Sequence, residues 1–394
     1  MRYGKPKKIV KITILVFLFM LPLLLTGCWN NRDLTETNIV AGLGLDRTEE
    51  GKILLTVQVV EPAAIQSTSS GKGKGGGTQP KPVFVESYEG DTVFEALRGL
   101  LTKVDNKLFA STAQVLILGE TLSEDGINEA LDFFQRDHEV EYKMDVLVAK
   151  GVTPKEILEM ETDMDSIPAV YVKGTIKNTV SRGTVKRTML IDLIKDMSSS
   201  GRQLAIGQIT KAGEKEVGTE GTAVFRDGKL AGWLDPAETR GYLFATGKVE
   251  SAIVNIPADN GKVAMEIIRS KGKVNVEFKN GEPDRLTIKV GLEANVGEYE
   301  ANGKLDSPSS LHKLEELLGE EVKKEIRVAL DRTQKDYSSD IFGFGTQVHK
   351  YHPQYWKEAK GQWNDTFSKL PADIKVDAKI RRTGVIKGPI KKGG

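Results

Sequence analysis

Residues 306–332, DSPSSLHKLEELLGEEVKKEIRVALDR, decide how the second half of this chain is built. Asp306-Ser307-Pro308 supplies a helix cap with proline near the first turn. Leu311, Leu314, Leu317, Leu318, Val322, Ile326 and Leu330 then recur at helical spacing as one apolar stripe. Glu315, Glu316, Glu320 and Glu321 precede Lys323, Lys324, Arg327 and Arg332, the order a helix dipole favours. A long amphipathic helix is predicted here, packed on a sheet. The sheet comes just before it. Segments 222–225, 229–234, 251–256, 263–268, 273–278 and 286–293 are strand-like, several with clear alternation. Asp227-Gly228 between two of them is a hairpin turn signal.

The first half has another texture. Segments 39–46 and 53–60 read as two strands joined by a charged turn holding Gly51. Residues 67–82, rich in Gly, Ser, Lys and Pro, read as a flexible loop. From Asp91, a reasonable N-cap, the period becomes helical through Val93, Phe94, Leu97, Leu100, Leu101 and Val104. Strand 115–118, helix 126–135, strand 144–148, helix 154–160 and helix 189–197 follow, and Ser198-Ser199-Ser200-Gly201 punctuates the chain. The expected fold class is α+β: multi-domain, mixed sheets packed with helices, with the long amphipathic helix in the C-terminal domain. The expected domains are a leader at 1–27, an α/β domain at 28–150 with its loop at 67–82, a middle region at 151–218, and a β-rich domain with the long helix at 219–385.

The single cysteine, Cys28, carries the main functional signal. Arg2, Lys5, Lys7, Lys8 and Lys11 precede a nearly unbroken apolar run at 12–25, and Leu25-Thr26-Gly27-Cys28 closes it. That is the order of a secretory signal with a small-residue cleavage site. Ending in cysteine, it resembles the lipobox of bacterial lipoproteins, in which the thiol takes a diacylglyceryl group and becomes the first residue. A membrane span needs roughly 20 apolar residues, and this run is shorter and contains Pro22. Two acyl chains at about 0.8 kcal/mol per buried methylene suffice for stable anchoring. One cysteine allows no internal disulfide. Without residues 1–27 the chain holds 51 Lys and Arg against 55 Asp and Glu, a formal charge of −4, which argues against a nucleic-acid role.

Little else reads as chemistry. Gly71–Gly77 with its two lysines lacks the Gly-Lys-Ser/Thr order and following helix of a phosphate-binding loop. His349 and His352, with Asp340 as a third ligand, make a weak metal set, because Pro353 disfavours a helix at His352 and zinc wants more ligands at tighter spacing. The carboxylates Glu159, Glu161, Asp163 and Asp165 read as a solvated face. No nucleophile–base set is recognisable, so no catalytic, cofactor or metal residue is assigned. The aromatics between Asp340 and Trp363 read as closing a domain core more readily than as a docking patch.

Several motifs, in order, carry a resemblance. Cys28-Trp29-Asn30-Asn31-Arg32-Asp33-Leu34 and Ala41-Gly42-Leu43-Gly44-Leu45-Asp46 look like the start of the C-subunit lipoproteins of spore germinant receptors. Gly221–Phe225 with Leu230–Leu234 and Glu238-Thr239-Arg240-Gly241 is similar to a block typical of that family. So are Asp340–Gly345, Pro353 with Trp356 and Trp363, and 376–384. The Gly/Lys-rich loop departs from the family pattern. The resemblance implies several mixed α/β domains, no enzyme activity, and a lipid-anchored subunit on the outer face of the spore inner membrane. It also implies two integral-membrane partners, the A and B subunits of a nutrient receptor. The alternative weighed beside it is a solute-binding lipoprotein of an uptake system. That would show two similar-sized lobes with strand–helix alternation throughout, which the β-rich stretch and single long helix fit poorly.

Overall fold

A computed structural model describes residues 37–62, 64, 81–137, 139–258, 261–300 and 307–382, with isolated positions 11, 15 and 17. Cys28, the lipobox, most of the 67–82 loop, His138 and Asp306 lie outside the described residues.

Strands β1 (Thr37–Arg47) and β2 (Ile53–Val60) form the expected antiparallel hairpin, and β3 (Val83–Gly90) extends it. Helix α1 (Val93–Leu100) follows. Its N-cap is Thr92, whose hydroxyl accepts from Glu95 N at 3.1 Å, not Asp91, and Val104 lies beyond its end. Then come β4 (Lys107–Phe109), β5 (Val115–Leu118), α2 (Glu120–Asp125), α3 (Asn128–Arg136), β6 (Asp145–Ala149), α4 (Pro154–Glu159), α5 (Pro168–Val180), α6 (Leu190–Ser198), β7 (Ala205–Lys211), β8 (Val217–Gly218), β9 (Thr222–Arg226) and β10 (Lys229–Leu234).

These strands build one 10-stranded mixed sheet in the order β10-β9-β7-β6-β5-β1-β2-β3, with β4 on β1 and β8 on β7. Its middle strands are buried on both faces, as parallel strands under helices must be. Leu116, Leu118, Val146 and Val148 point into a core with α1, α2, α3 and α6. Val115, Ile117, Leu147 and Ala149 point into a second core with α4 and α5. The β9–β10 hairpin, read from sequence with the C-terminal strands, is hydrogen-bonded to β7 of this sheet. Asp227 and Gly228 both have positive φ (54° and 83°), as a two-residue hairpin turn requires.

Helix α7 (Pro236–Thr246) leads into the second sheet, β11 (Ala252–Ala258), β12 (Gly261–Lys279), β13 (Glu282–Tyr299) and β14 (Ala372–Arg382). Segments 263–268 and 273–278 are one continuous strand, bulged between Ile267 and Arg269. The long helix α8 (Pro308–Asp331) packs on this sheet, capped by Ser307 with Pro308 at its first position. Leu314, Leu318, Val322, Ile326 and Leu330 are buried, with Leu317 half-buried. One wider turn, Arg332–Asp336, ends α8, and α9 (Phe344–Tyr351), α10 (Pro353–Ala359) and α11 (Trp363–Phe367) close the same core. The molecule is thus a multi-domain α+β protein with its long helix on the second sheet. No helix among the described residues is long and apolar enough to cross a membrane.

Candidate functional site

The most constrained cluster of polar groups lies where the two sheets meet, around Asp340. The wide turn after α8 and the left-handed Ser338 (φ 45°) aim its carboxylate back at the start of α9. Oδ1 accepts from the amides of Gly343 (2.8 Å) and Phe344 (3.2 Å). Oδ2 accepts from Gly345 N (2.7 Å) and the indole Nε1 of Trp363 (2.8 Å). One fully buried carboxylate therefore satisfies orphan amides at the start of α9 and locks in α11. Burial pushes this carboxyl upward, and the four donors pull it back.

The same stretch is stitched to the first sheet. Asp340 O accepts from Gln203 N (2.9 Å), Phe342 O from Arg202 Nη2 (3.0 Å), and Phe225 O from the Ser339 hydroxyl (2.6 Å). Tyr337 OH donates to Trp233 O (2.8 Å) and accepts from Trp233 N (3.1 Å). Gly201 is left-handed (φ 85°), and a Cβ there would sit 2.3 Å from the Gly345 carbonyl carbon. Only glycine fits that approach. Behind the seam Glu325 on α8 pairs with Arg240 on α7, whose Nε lies 2.9 Å from its Oε2. A polar cleft of about 470 Å³ opens beside the seam, lined by Arg202, Arg226 and Asp227 on one side and Lys360, Trp363 and Asp365 on the other.

The residues weighed as a metal set are committed elsewhere. Asp340 spends both oxygens on the four donors above. His352 stacks on Phe278 with ring centroids 3.7 Å apart, and His349 lies against Trp356. No group of three or more His, Cys, Asp or Glu among the described residues could hold a metal. Trp356 and Trp363 are 5% and 3% exposed, so these aromatics close the core.

A buried cation that sequence reading passed over lies on the 183–189 segment. Lys186 is 3% exposed, and its Nζ donates to Arg187 O and the Thr188 hydroxyl at 3.0 Å each. Burial lowers its pKa from 10.5 to about 7, Lys248 and Arg202 push the same way, and Asp196 and Asp192 oppose. The folded chain therefore holds fewer protons than the unfolded one between these values, and stability should rise with pH from about 7 upward. The slope from this group is at most about 1.4 kcal/mol per pH unit. Urea titrations at pH 7 and 9 should show the rise, and Lys186→Met should flatten it; an unchanged slope in the variant would refute the assignment.

Comparison with known proteins gives this architecture a family. Residues 30–211 match the spore germination protein N-terminal domain, and residues 220–384 match the C-terminal domain described as spore germination B3/GerAC like. Spore germination protein KC of Bacillus subtilis (strain 168) is 28% identical over 405 residues, covering 97% of this chain and 98% of that protein. Spore germination protein B3 of the same organism is 25% identical over 376 residues, covering 94% and 97%. The crystal structure of the GerBC protein shares the fold, with a TM-score of 0.54 at 21% identity over 86% of this chain and 96% of that one. Two domain matches in the family's order, on relatives that align from end to end, establish that this chain belongs to the GerAC-like family of spore germination proteins.

Proposed function

We infer that this chain is a subunit of a nutrient germinant receptor, needed for the spore germination response. The observation that carries the reading is its end-to-end similarity to spore germination proteins, in both domains and in order. An uptake lipoprotein with two similar lobes does not match a 10-stranded sheet joined to a four-stranded one. The partners would be the receptor's integral-membrane A and B subunits. The body would be held on the outer face of the spore inner membrane by a diacylglyceryl and acyl group on Cys28. Sequence order around Cys28 supports the tether. No catalytic residue is assigned: the one fully buried carboxylate of the seam serves as a structural acceptor.

Cys28→Ala should abolish incorporation of a palmitate analogue and move the chain from the membrane fraction to the soluble one. Spores carrying that variant should respond weakly or not at all to the nutrient. Unchanged labelling and fractionation would refute the tether, and a normal response in spores lacking the chain would refute the receptor role.

A further inference from the structure

The second sheet has one face under helices and one that no element among the described residues covers. Inward positions of β12, β13 and β14, such as Val274, Val276, Ile288, Val290, Ile374 and Ala378, fill the core under α8. By strand alternation Lys273, Lys289 and Lys375 point the other way. They stand directly opposite one another, Lys273 paired with Lys289 and Lys289 with Lys375. Three ammonium groups thus share one row across strands spaced about 5 Å apart. Like charges placed so destabilise a sheet, and among the described residues no carboxylate forms an ion pair with any of the three. Asp373, one row over, is taken by Arg285 at 3.2 Å, and Asp377 lies 3.6 Å from Lys379. Glu293 is held by Arg381 at 2.9 Å and Arg269 at 3.8 Å, and its charge also faces Lys271. Glu277 sits opposite Arg285, beyond the row of Asn275 and Thr287. The lysine row is therefore open to an external anion, on a body whose formal charge without the leader is −4.

The shape of the face indicates the kind of anion. Its lysines Lys271, Lys273, Lys289, Lys375 and Lys379 are exposed across three neighbouring strands, a spread that suits an extended anionic surface, and the cleft described above lies elsewhere. Gly291, directly opposite Lys271 and one row from Lys289, has nothing within 4 Å of where a side chain would start. On the β11 side two aliphatic side chains are exposed, Ile253 at 55% and the bulge residue Ile268 at 43%. Lysines that reach phosphates, with exposed aliphatic groups farther along the same sheet, are the chemistry of an interfacial membrane contact.

We propose that the open face of the second sheet lies against an anionic lipid surface, with Lys273, Lys289 and Lys375 on headgroup phosphates. The contact would fix how the body sits over the bilayer. It rests on the receptor reading only for where it operates, since the lysine row needs no lipid anchor.

The test uses residues 29–394 without lipid, which keep all three cores because these are built from Val40 to Ala378. Co-sedimentation is measured with vesicles of phosphatidylcholine containing phosphatidylglycerol. Binding is expected to anionic vesicles and not to pure phosphatidylcholine. It should fall as salt rises from about 0.1 to about 1 M, which shortens the screening length from about 10 to about 3 Å. One lysine near such a surface strengthens binding about fivefold, so Lys273→Gln, Lys289→Gln and Lys375→Gln together should weaken it about a hundredfold. Its melting temperature should be equal or higher, because repulsion is relieved. Equal changes at Lys155, Lys215 and Lys335, which have carboxylate partners, should leave binding nearly intact. The proposal falls if the unchanged chain ignores anionic vesicles, or if the row variant binds as well as the original. It also falls if the row variant loses only a protein partner, in which case the face docks an acidic protein. None of these outcomes depends on whether Cys28 is lipidated.

Discussion

Asp340→Ala should cost about 3–5 kcal/mol of stability, among the largest effects available in this chain. The substitution removes an acceptor shared by three amides and one indole, all buried at the seam. A buried donor left without a partner costs about 1–3 kcal/mol, and partial relaxation limits the sum. The consequence should extend beyond α9. Gly345 abuts Gly201, and Asp340 O accepts from Gln203 N, so a loosened 340–345 turn also loosens the grip of one sheet on the other. Urea denaturation followed by tryptophan fluorescence reads both effects, because Trp363 is itself a donor to Asp340. Asp340→Asn keeps one acceptor oxygen but turns an amino group toward N–H donors, so it should recover only part of the loss. A loss below about 1 kcal/mol in the alanine variant would mean that the carboxylate is not the organiser described.

Leu318→Ala should cost about 2–5 kcal/mol. Leu318 has no exposed surface and packs in the core between α8 and the second sheet. Leu317, one position earlier, is half-buried, so Leu317→Ala should cost clearly less. Glu320→Ala, on the exposed side, should stay within about 0.5 kcal/mol. This gradient around one turn separates a helix packed on its own sheet from one whose stripe is kept for a partner. Equal small losses at Leu317 and Leu318 would favour the partner.

What the sequence disclosed followed from local periodicity. The stripe of α8 has a single buried side, so its helical repeat is visible, and the β1–β2 and β9–β10 hairpins announce themselves by their turns. Helix α7 is buried almost all round, including Gly241, Tyr242, Leu243 and Phe244, so no amphipathic repeat marks it. Its local signals are at its ends: the capping box of Asp235 and Glu238, Pro236 at the first position, and the left-handed Gly247 as its C-cap. Helix α5 buries only Pro168, Ala169, Val172, Ile176 and Thr179, a side of small, β-branched and polar residues that makes a weak stripe. Strand β12 read as two strands because the bulge at Ile268 shifts the alternation by one residue. The placement of β9 and β10 in the first sheet is a pairing across space, on which their own alternation is silent.

The seam was half legible for the same reason. Asp340 and Gly343–Gly345 are neighbours in sequence, and a short acidic residue before glycines signals a turn. The indole donor arrives 23 residues later, and Gly201 approaches from the first half of the chain. The three lysines of the open face are ordinary surface residues until strand register sets them side by side. The proposed tether at Cys28 rests on sequence order alone, because that residue lies outside the described residues.

Mild detergent extraction of spore membranes, followed by affinity purification of this chain, tests the receptor assignment most directly. Two integral-membrane subunits should co-purify with it in fixed proportion. Recovery of the chain alone, or with the membrane permease of an uptake system, would contradict the assignment.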